Sequence, residues 1–273
     1  MPGAVFHHTF FAMNTRLSIV LPGVAEAQGL GLIRSIERYV DQQETLLSRF
    51  RPGETYRLNH CAFDHAVDVS DALWAVLCAC RNHNRRTHGL FDIAAGGLGK
   101  VAFDDQRQTV RFLEAGMRFD FGGVGKGIAL AGVRDWLESR GIVQAFLSFG
   151  DSSIVAMGEH PSGGAWSVGL AGGGEATFDL NDQALSISGQ TDNRRHIVDP
   201  RTGTWANGTH MVAVKSACPV EAEVLSTALF IASPKERQAI LRNYDRTVAA
   251  HIDTGQATQT DIQSEWRDER RIS

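Results

Sequence analysis

The stretch Asp120-Phe121-Gly122-Gly123-Val124-Gly125-Lys126-Gly127 decides how the chain is read. Met117 to Phe121 reads as a strand, and residues from about Gly125 to Ser139 read as a helix, so a strand end passes through four glycines into a helix. Backbone N–H groups at such a helix start, with a lysine beside them, form a seat for a phosphate or pyrophosphate. It is not a Walker A loop, because Asp120 stands where the first glycine belongs and Gly127 replaces the Ser or Thr that would reach Mg2+. A tight strand-to-helix turn without a ligand carries equal weight on this stretch alone.

Outward from it, Phe6 to Met13 and Leu17 to Leu21 read as strands, and Leu30, Leu32, Ile33, Ile36 and Val40 recur at helical spacing. A second helix fits Ala72 to Asn82, and Thr109 to Leu113 reads as a strand. Short β-like runs follow at Ala145 to Phe149, Ser153 to Met157, Trp166 to Leu170, Ala176 to Leu180 and Ala184 to Ser188. Helices at Pro219 to Ile231 and Pro234 to Asn243 and a strand at about Thr247 to Ile252 complete the pattern. The expected fold class is α+β, with mixed sheets and packed helices in one domain of two lobes over 1–252. Residues 253–273 form a polar tail.

Length and composition set bounds on partners. The 273 residues carry 43% apolar and 21% charged side chains with a net charge of −4, and Lys and Arg are scattered. That distribution gives no electrostatic footprint for nucleic acid or an anionic membrane. The start, MPGAVFHHTFFAMNTR, has no basic n-region, long apolar stretch or lipobox-like cysteine, so the cytoplasm is the expected location. Cys61, Cys78, Cys80 and Cys218 lack metal-site spacing and are expected as free thiols. His83 and His88 at a helix end are expected on a solvated face.

Two further groupings could carry chemistry. In His196-Ile-Val-Asp199-Pro200-Arg-Thr202-Gly203, the Asp-Pro-x-Thr-Gly run is a turn sequence, and a surface turn is the plain reading. His196 nevertheless puts a base that titrates near neutrality beside hydroxyls and a carboxylate, which suits activation of an incoming hydroxyl. In Glu221-Ala-Glu223-Val-Leu-Ser226-Thr227-Ala228, the spacing of four places Glu223 and Thr227 on one helical face as hard oxygen ligands for Mg2+. First-turn acids also complement the helix dipole without any metal.

Together and in this order, the groupings resemble the signature of the FAD:protein FMN transferases of the ApbE type. The resemblance begins at Met13-Asn14-Thr15, similar to the family's Met-Gly-Thr. It continues through Leu47 to Phe50, Leu58-Asn59, Thr87 to Asp92, Asp120 to Gly127, Ser148-Phe-Gly150, Trp166, Ser188-Gly189, His196 to Gly203 and Leu225 to Ala228. It covers about Met13 to Ser233. The resemblance implies FAD held between glycine-rich segments and a divalent ion at its diphosphate, with transfer of FMN to a Ser or Thr of an acceptor protein. Carried over by position, Glu223, Thr227 and a carbonyl near Gly125 would hold Mg2+, Lys126 would lie near the phosphates, and His196 would deprotonate the acceptor. Met13, Asn59, Phe91, Asp92, Gly123, Ser148, Gly150, Ser188, Gly189, Asp199, Thr202 and Gly203 fall at the positions implied for FAD binding.

The chain also departs from that pattern. Glu223 stands where the family usually has Asp, the Asn-x-Gly-Gly-Asp segment becomes Ser148-Phe-Gly150-Asp151-Ser152, and Ala131 replaces an Asp. The loops between Leu98 and Thr109 and between Gly189 and His196 are short. Three activities therefore stay open: FMN transfer, FAD binding without transfer, and FAD pyrophosphate hydrolysis to FMN and AMP.

Overall fold

A computed structural model of the protein describes residues 4–169, 177–190, 196–208, 210–244 and 247–252, and the expected tail lies outside them. The chain opens with β1 (Val5–Ala12), β2 (Thr15–Pro22), α1 (Glu26–Leu47), α2 (Glu54–Cys61), β3 (Val67–Asp68), α3 (Asp71–Arg86), β4 (Val101–Asp104) and β5 (Thr109–Phe112). It continues with α4 (Gly125–Glu138), β6 (Ala145–Phe149), β7 (Ser153–Met157), β8 (Trp166–Gly169), β9 (Thr177–Leu180) and β10 (Gln183–Gly189). It closes with β11 (Val198–Asp199), β12 (Thr204–Trp205), β13 (Met211–Ser216), α5 (Pro219–Ile231), α6 (Pro234–Leu241) and β14 (Val248–Ile252).

The main sheet has seven strands in the order β1-β2-β6-β7-β10-β13-β14, and each neighbouring pair is antiparallel. Alternation along the strands divides the core between its two faces. On β7, Val155 and Met157 join the large cluster with Val133, Leu137, Val224 and Leu225 from α4 and α5, while Ile154 and Ala156 meet Trp166, Phe178 and Leu180 of β8 and β9. All five β7 residues are consequently buried, which is why Ser153 to Met157 reads as a nearly continuous apolar run. A three-stranded sheet, β3-β5-β4, packs into the same large cluster through Val67, Val101, Val110 and Phe112.

The α+β class is as the sequence implies, with helices against one face of an antiparallel sheet. Each helix has a local cause. Ile33, Ile36, Val40 and Leu47 make the buried stripe of α1, the Ser70 hydroxyl caps α3 by accepting from the Leu73 N–H, and Ser233 with Glu236 forms a capping box on α6. At the α4–α5 crossing a side chain at Gly127 would lie 2.8 Å from the Pro219 carbonyl, so only glycine fits. Among the described residues no helix is long and apolar enough to cross a membrane.

The structure corrects several expectations. Met117 to Phe121 is not a strand. Its backbone is held instead by Asn59, whose amide donates to the Phe119 carbonyl at 2.9 Å and accepts from the Phe119 N–H at 2.7 Å, and by the Ile93 carbonyl, which accepts from Asp120. Helix α2 has only Thr55 and Leu58 buried, too few positions to show a period in the sequence. His83 is buried rather than solvated, stacked on Tyr244, with its Nδ1 3.0 Å from the Tyr244 hydroxyl. The four cysteines are free thiols, and burial pushes Cys80 up to about 12.

Burial, aided by the nearby Arg86 charge, holds the His83 imidazole below its usual value of 6.5. Between the folded and unfolded pKa values the unfolded chain binds more protons, so stability rises with pH there. The His83 contribution is whole above the unfolded pKa and is lost as pH falls through the folded one. The thermal midpoint should therefore drop between about pH 7 and about pH 5, and His83→Phe should flatten that drop in calorimetry. Equal slopes for the two proteins would dismiss His83 as the cause.

Candidate active site

Glu223 sits in the second turn of α5 with 4% of its surface exposed, at the point where α5 crosses α4 over β7. A buried carboxylate needs donors, and three neighbours supply them. Oε1 accepts from the Lys126 ammonium at 2.9 Å and from the Ser153 hydroxyl at 2.5 Å, and Oε2 accepts from the Gly127 N–H at 2.7 Å. The Lys126 ammonium also donates to Ser153 at 2.8 Å. The first-turn backbone of α4, its lysine, a β7 hydroxyl and α5 thus meet on one carboxylate.

That arrangement changes the reading of the glycine-rich turn. Two of its N–H groups already serve acids, Gly122 donating to Asp120 Oδ1 at 2.9 Å and Gly127 to Glu223. Val124 and Gly125 donate to the Phe121 carbonyl. A diphosphate placed here would face two carboxylates, balanced by Lys126 and by Arg49, which pairs with Asp120 at 3.0 Å and lies 4.3 Å over the Phe50 ring. Arg49, Phe50, Asp120, Gly125, Lys126 and Met13 line one open cleft. Met13 and Asn14 form the two-residue turn between β1 and β2, with φ of 46° and 61°. Asn14, where the resembled pattern has Gly, tolerates this left-handed region. The Met13 N–H donates to Glu44 at 3.0 Å.

Thr227 lies one turn beyond Glu223. Its Oγ1 would be 3.8 Å from a side chain added to exposed Gly123, which also neighbours buried Phe91. A row of hydroxyls runs from there into the sheet: Ser188 is 3.4 Å from Thr227 and 2.8 Å from Ser226, and Ser226 is 3.0 Å from Ser186. The glycine-rich turn, the Ser188 strand and the Glu223–Thr227 helix therefore meet at α5, whereas the His196–Gly203 turn packs on the Gly96 loop and α6 instead. Gly189 packs on Met211 beside this row.

Other candidates shape loops. Asp92 accepts from Ala94 at 2.6 Å and Leu98 at 3.3 Å, fixing the loop that holds Gly96, and burial pushes its carboxyl up. A side chain at Gly96 would strike the Pro200 carbonyl, so the Asp92 loop abuts the Asp199 turn. In that turn the Asp199 carbonyl accepts from Thr202 at 3.2 Å and Gly203 at 2.9 Å, and Gly203 takes φ 68°. The Asp199 carboxylate is engaged by Arg201 at 2.7 Å, which holds its pKa below the usual range. The Thr202 hydroxyl meets Thr204 at 2.8 Å. Ser148 bonds to Asp151 at 3.3 Å, and Gly150 donates to the Arg16 carbonyl at 2.8 Å. Asn59 braces the segment leading into Asp120, and His196 is exposed just before β11. Arg49, Ser153 and Ser226 were not assigned roles from the sequence. Ser153 left a trace there, as a lone hydroxyl opening an apolar strand.

The sequence profile of the ApbE family matches residues 13–111 and 96–252. The chain is 25% identical over 305 positions to an FAD:protein FMN transferase of Klebsiella pneumoniae (strain 342), covering 93% of this chain and 86% of that protein. It is 23% identical over 281 positions to a second FAD:protein FMN transferase of the same organism, with 87% and 86% covered. The flavin transferase ApbE of Vibrio cholerae superposes with a TM-score of 0.79 at 20% identity, over 92% of this chain and 94% of that one. The ApbE protein of Thermotoga maritima superposes with a TM-score of 0.78 at 20% identity, over 91% and 94%. At such identity the superpositions establish the fold.

Removing the Glu223 carboxylate leaves the buried Gly127 N–H and Ser153 hydroxyl without their acceptor, while the Lys126 ammonium can turn to the cleft. Glu223→Ala should cost about 2–3 kcal/mol in urea unfolding, the penalty of unsatisfied buried donors. Thr227→Ala gives up one long hydroxyl contact and should cost no more than about 1 kcal/mol. Equal losses would contradict the placement of Glu223 as the tie between the helices.

Proposed function

Because the chain belongs to the ApbE family, we propose that it is an FAD:protein FMN transferase, moving FMN from FAD to a Ser or Thr hydroxyl of an acceptor protein. The observation that carries this reading is the convergence at α5, where Lys126 meets Glu223 and Ser188 meets Thr227. Segments around Lys126, Ser188 and Glu223–Thr227, far apart in the chain, meet beside an open cleft that Gly125 and Lys126 line.

In this reading the cleft lined by Met13, Gly125 and Lys126 receives FAD, with the Gly123 turn, Phe91, Ser148, Gly150, Ser188 and Gly189 around it. Asp92, Asn59, Asp199, Thr202 and Gly203 act by fixing the loops. The donor set suits Mg2+, which prefers hard oxygens. Glu223 offers a carboxylate, Thr227 a hydroxyl, and Gly125 a carbonyl. A divalent ion there would neutralise charge on the diphosphate, which two nearby carboxylates otherwise oppose. His196, exposed to an incoming protein, takes the proton from the acceptor hydroxyl. Lys126 contributes positive charge beside the phosphates. The cytoplasm is the compartment assigned, in keeping with four free thiols.

A second reading, FAD retention without transfer, is favoured by one observation: Lys126 holds the very carboxylate the ion would need. Incubation with FAD, Mg2+ and an acceptor subunit, followed by acceptor mass and free FMN, separates the readings. Transfer gives an acceptor heavier by FMN; free FMN alone indicates pyrophosphate hydrolysis; intact bound FAD indicates a binding protein. His196→Ala should keep FAD and lose transfer by at least about a hundredfold, the usual worth of a general base. Transfer at the original rate in that variant would remove His196 from the chemistry.

A further inference from the structure

We propose that the Lys126 ammonium is a built-in competitor for the divalent ion at Glu223, and that its displacement makes ion binding and FAD binding reinforce each other. The inference rests on the reading that Glu223 and Thr227 hold the ion. Lys126 lies 2.9 Å from Glu223 Oε1 and 2.8 Å from Ser153 Oγ, so the ammonium already sits where a cation is drawn to that oxygen. Two cations sharing one carboxylate in a buried setting repel strongly, and one must leave.

Which group yields is fixed by the surroundings. The Glu223 carboxylate is 4% exposed and pinned through Oε2 to the Gly127 N–H, so it cannot follow either cation. Ser153 is 2% exposed on the central strand. The Lys126 side chain is 24% exposed and lines the open cleft beside Arg49 and Asp120. Its flexible four-carbon stem allows the ammonium to swing out while the backbone of α4 stays in place. The cleft it enters is the one that receives the diphosphate. An ion arriving at Glu223 thus sends a positive charge toward the phosphates, and a diphosphate that draws Lys126 outward vacates Glu223 for the ion. Such coupling is reciprocal by thermodynamic necessity. Without FAD, Lys126 keeps the site closed to stray divalent ions.

The test counts free Mn2+ by electron paramagnetic resonance, with the wild type, Lys126→Gln and Glu223→Asp, without acceptor and with or without saturating FAD. Without FAD, Lys126→Gln should bind Mn2+ about tenfold more tightly than the wild type, within the usual range for coupled sites. FAD should tighten Mn2+ binding by a larger factor in the wild type than in Lys126→Gln, where only the direct attraction of the diphosphate for the ion remains. Glu223→Asp keeps both charges but draws the carboxylate back from the lysine, so it should also tighten Mn2+ binding without FAD. Should Lys126→Gln not fold, the aspartate variant decides. Mn2+ affinity unchanged from wild type in the folded variants overturns the competition while leaving the ion site standing. Absence of Mn2+ binding in every form, even with FAD, overturns the ion site and the competition with it.

Discussion

A carboxylate buried between two helices and a strand requires partners, and at Glu223 they come from two other parts of the chain, the first turn of α4 and the start of β7. Lys126 and Gly127 open α4, Ser153 opens β7, and Glu223 itself lies near the start of α5. The constraint works in both directions. The absence of a side chain at Gly127 lets α5 come close enough for the carboxylate to reach the N–H, and the carboxylate in turn holds the first turn of α4 against the sheet. Apolar burial on the same face supplies most of the stability, but the polar knot sets the relative position of the glycine turn, the lysine and the α5 hydroxyls.

The remaining loops are arranged around that fixed point by short-range bonds. Asn59 replaces a strand partner for Phe119, and Asp120 then orders Gly122. Asp92 orders the loop that abuts Pro200, while Arg201 ties Asp199 to Glu236 at the start of α6. Glycine serves two purposes here, close approach at Gly127 and Gly96 and a left-handed turn at Gly203. The recurrent arrangement is a buried or half-buried acid bonded to backbone N–H groups at the root of a loop.

Much of the fold was legible because its strands alternate and its helices carry long apolar stripes, as Ile33, Ile36 and Val40 do on α1. Met117 to Phe121 misled because its alternation reflects Phe119 and Phe121 entering the core from irregular backbone. His83 was read as exposed because the partner that buries it, Tyr244, lies 161 residues away. The same limit applies to the site. The spacing of Glu223 and Thr227 placed them on one helix, but Lys126 on Glu223 is a contact across 97 residues and leaves no local trace. Ordered motifs mark candidate segments; only the folded chain tells which charge faces which.

β7 is the middle strand of seven and is covered on both faces. Amide groups in such a strand exchange with solvent only when the whole domain opens, whereas turns and edges open locally. Ser153, the post to which both Lys126 and Glu223 are bonded, is accordingly expected among the slowest-exchanging positions, and the Met13–Asn14 hairpin turn, at the edge of the sheet, among the faster ones. The cleft lies between the central strand and the edge hairpin, so a ligand entering past the Met13–Asn14 turn meets a mobile Lys126 ammonium backed by the fixed Glu223 and Ser153.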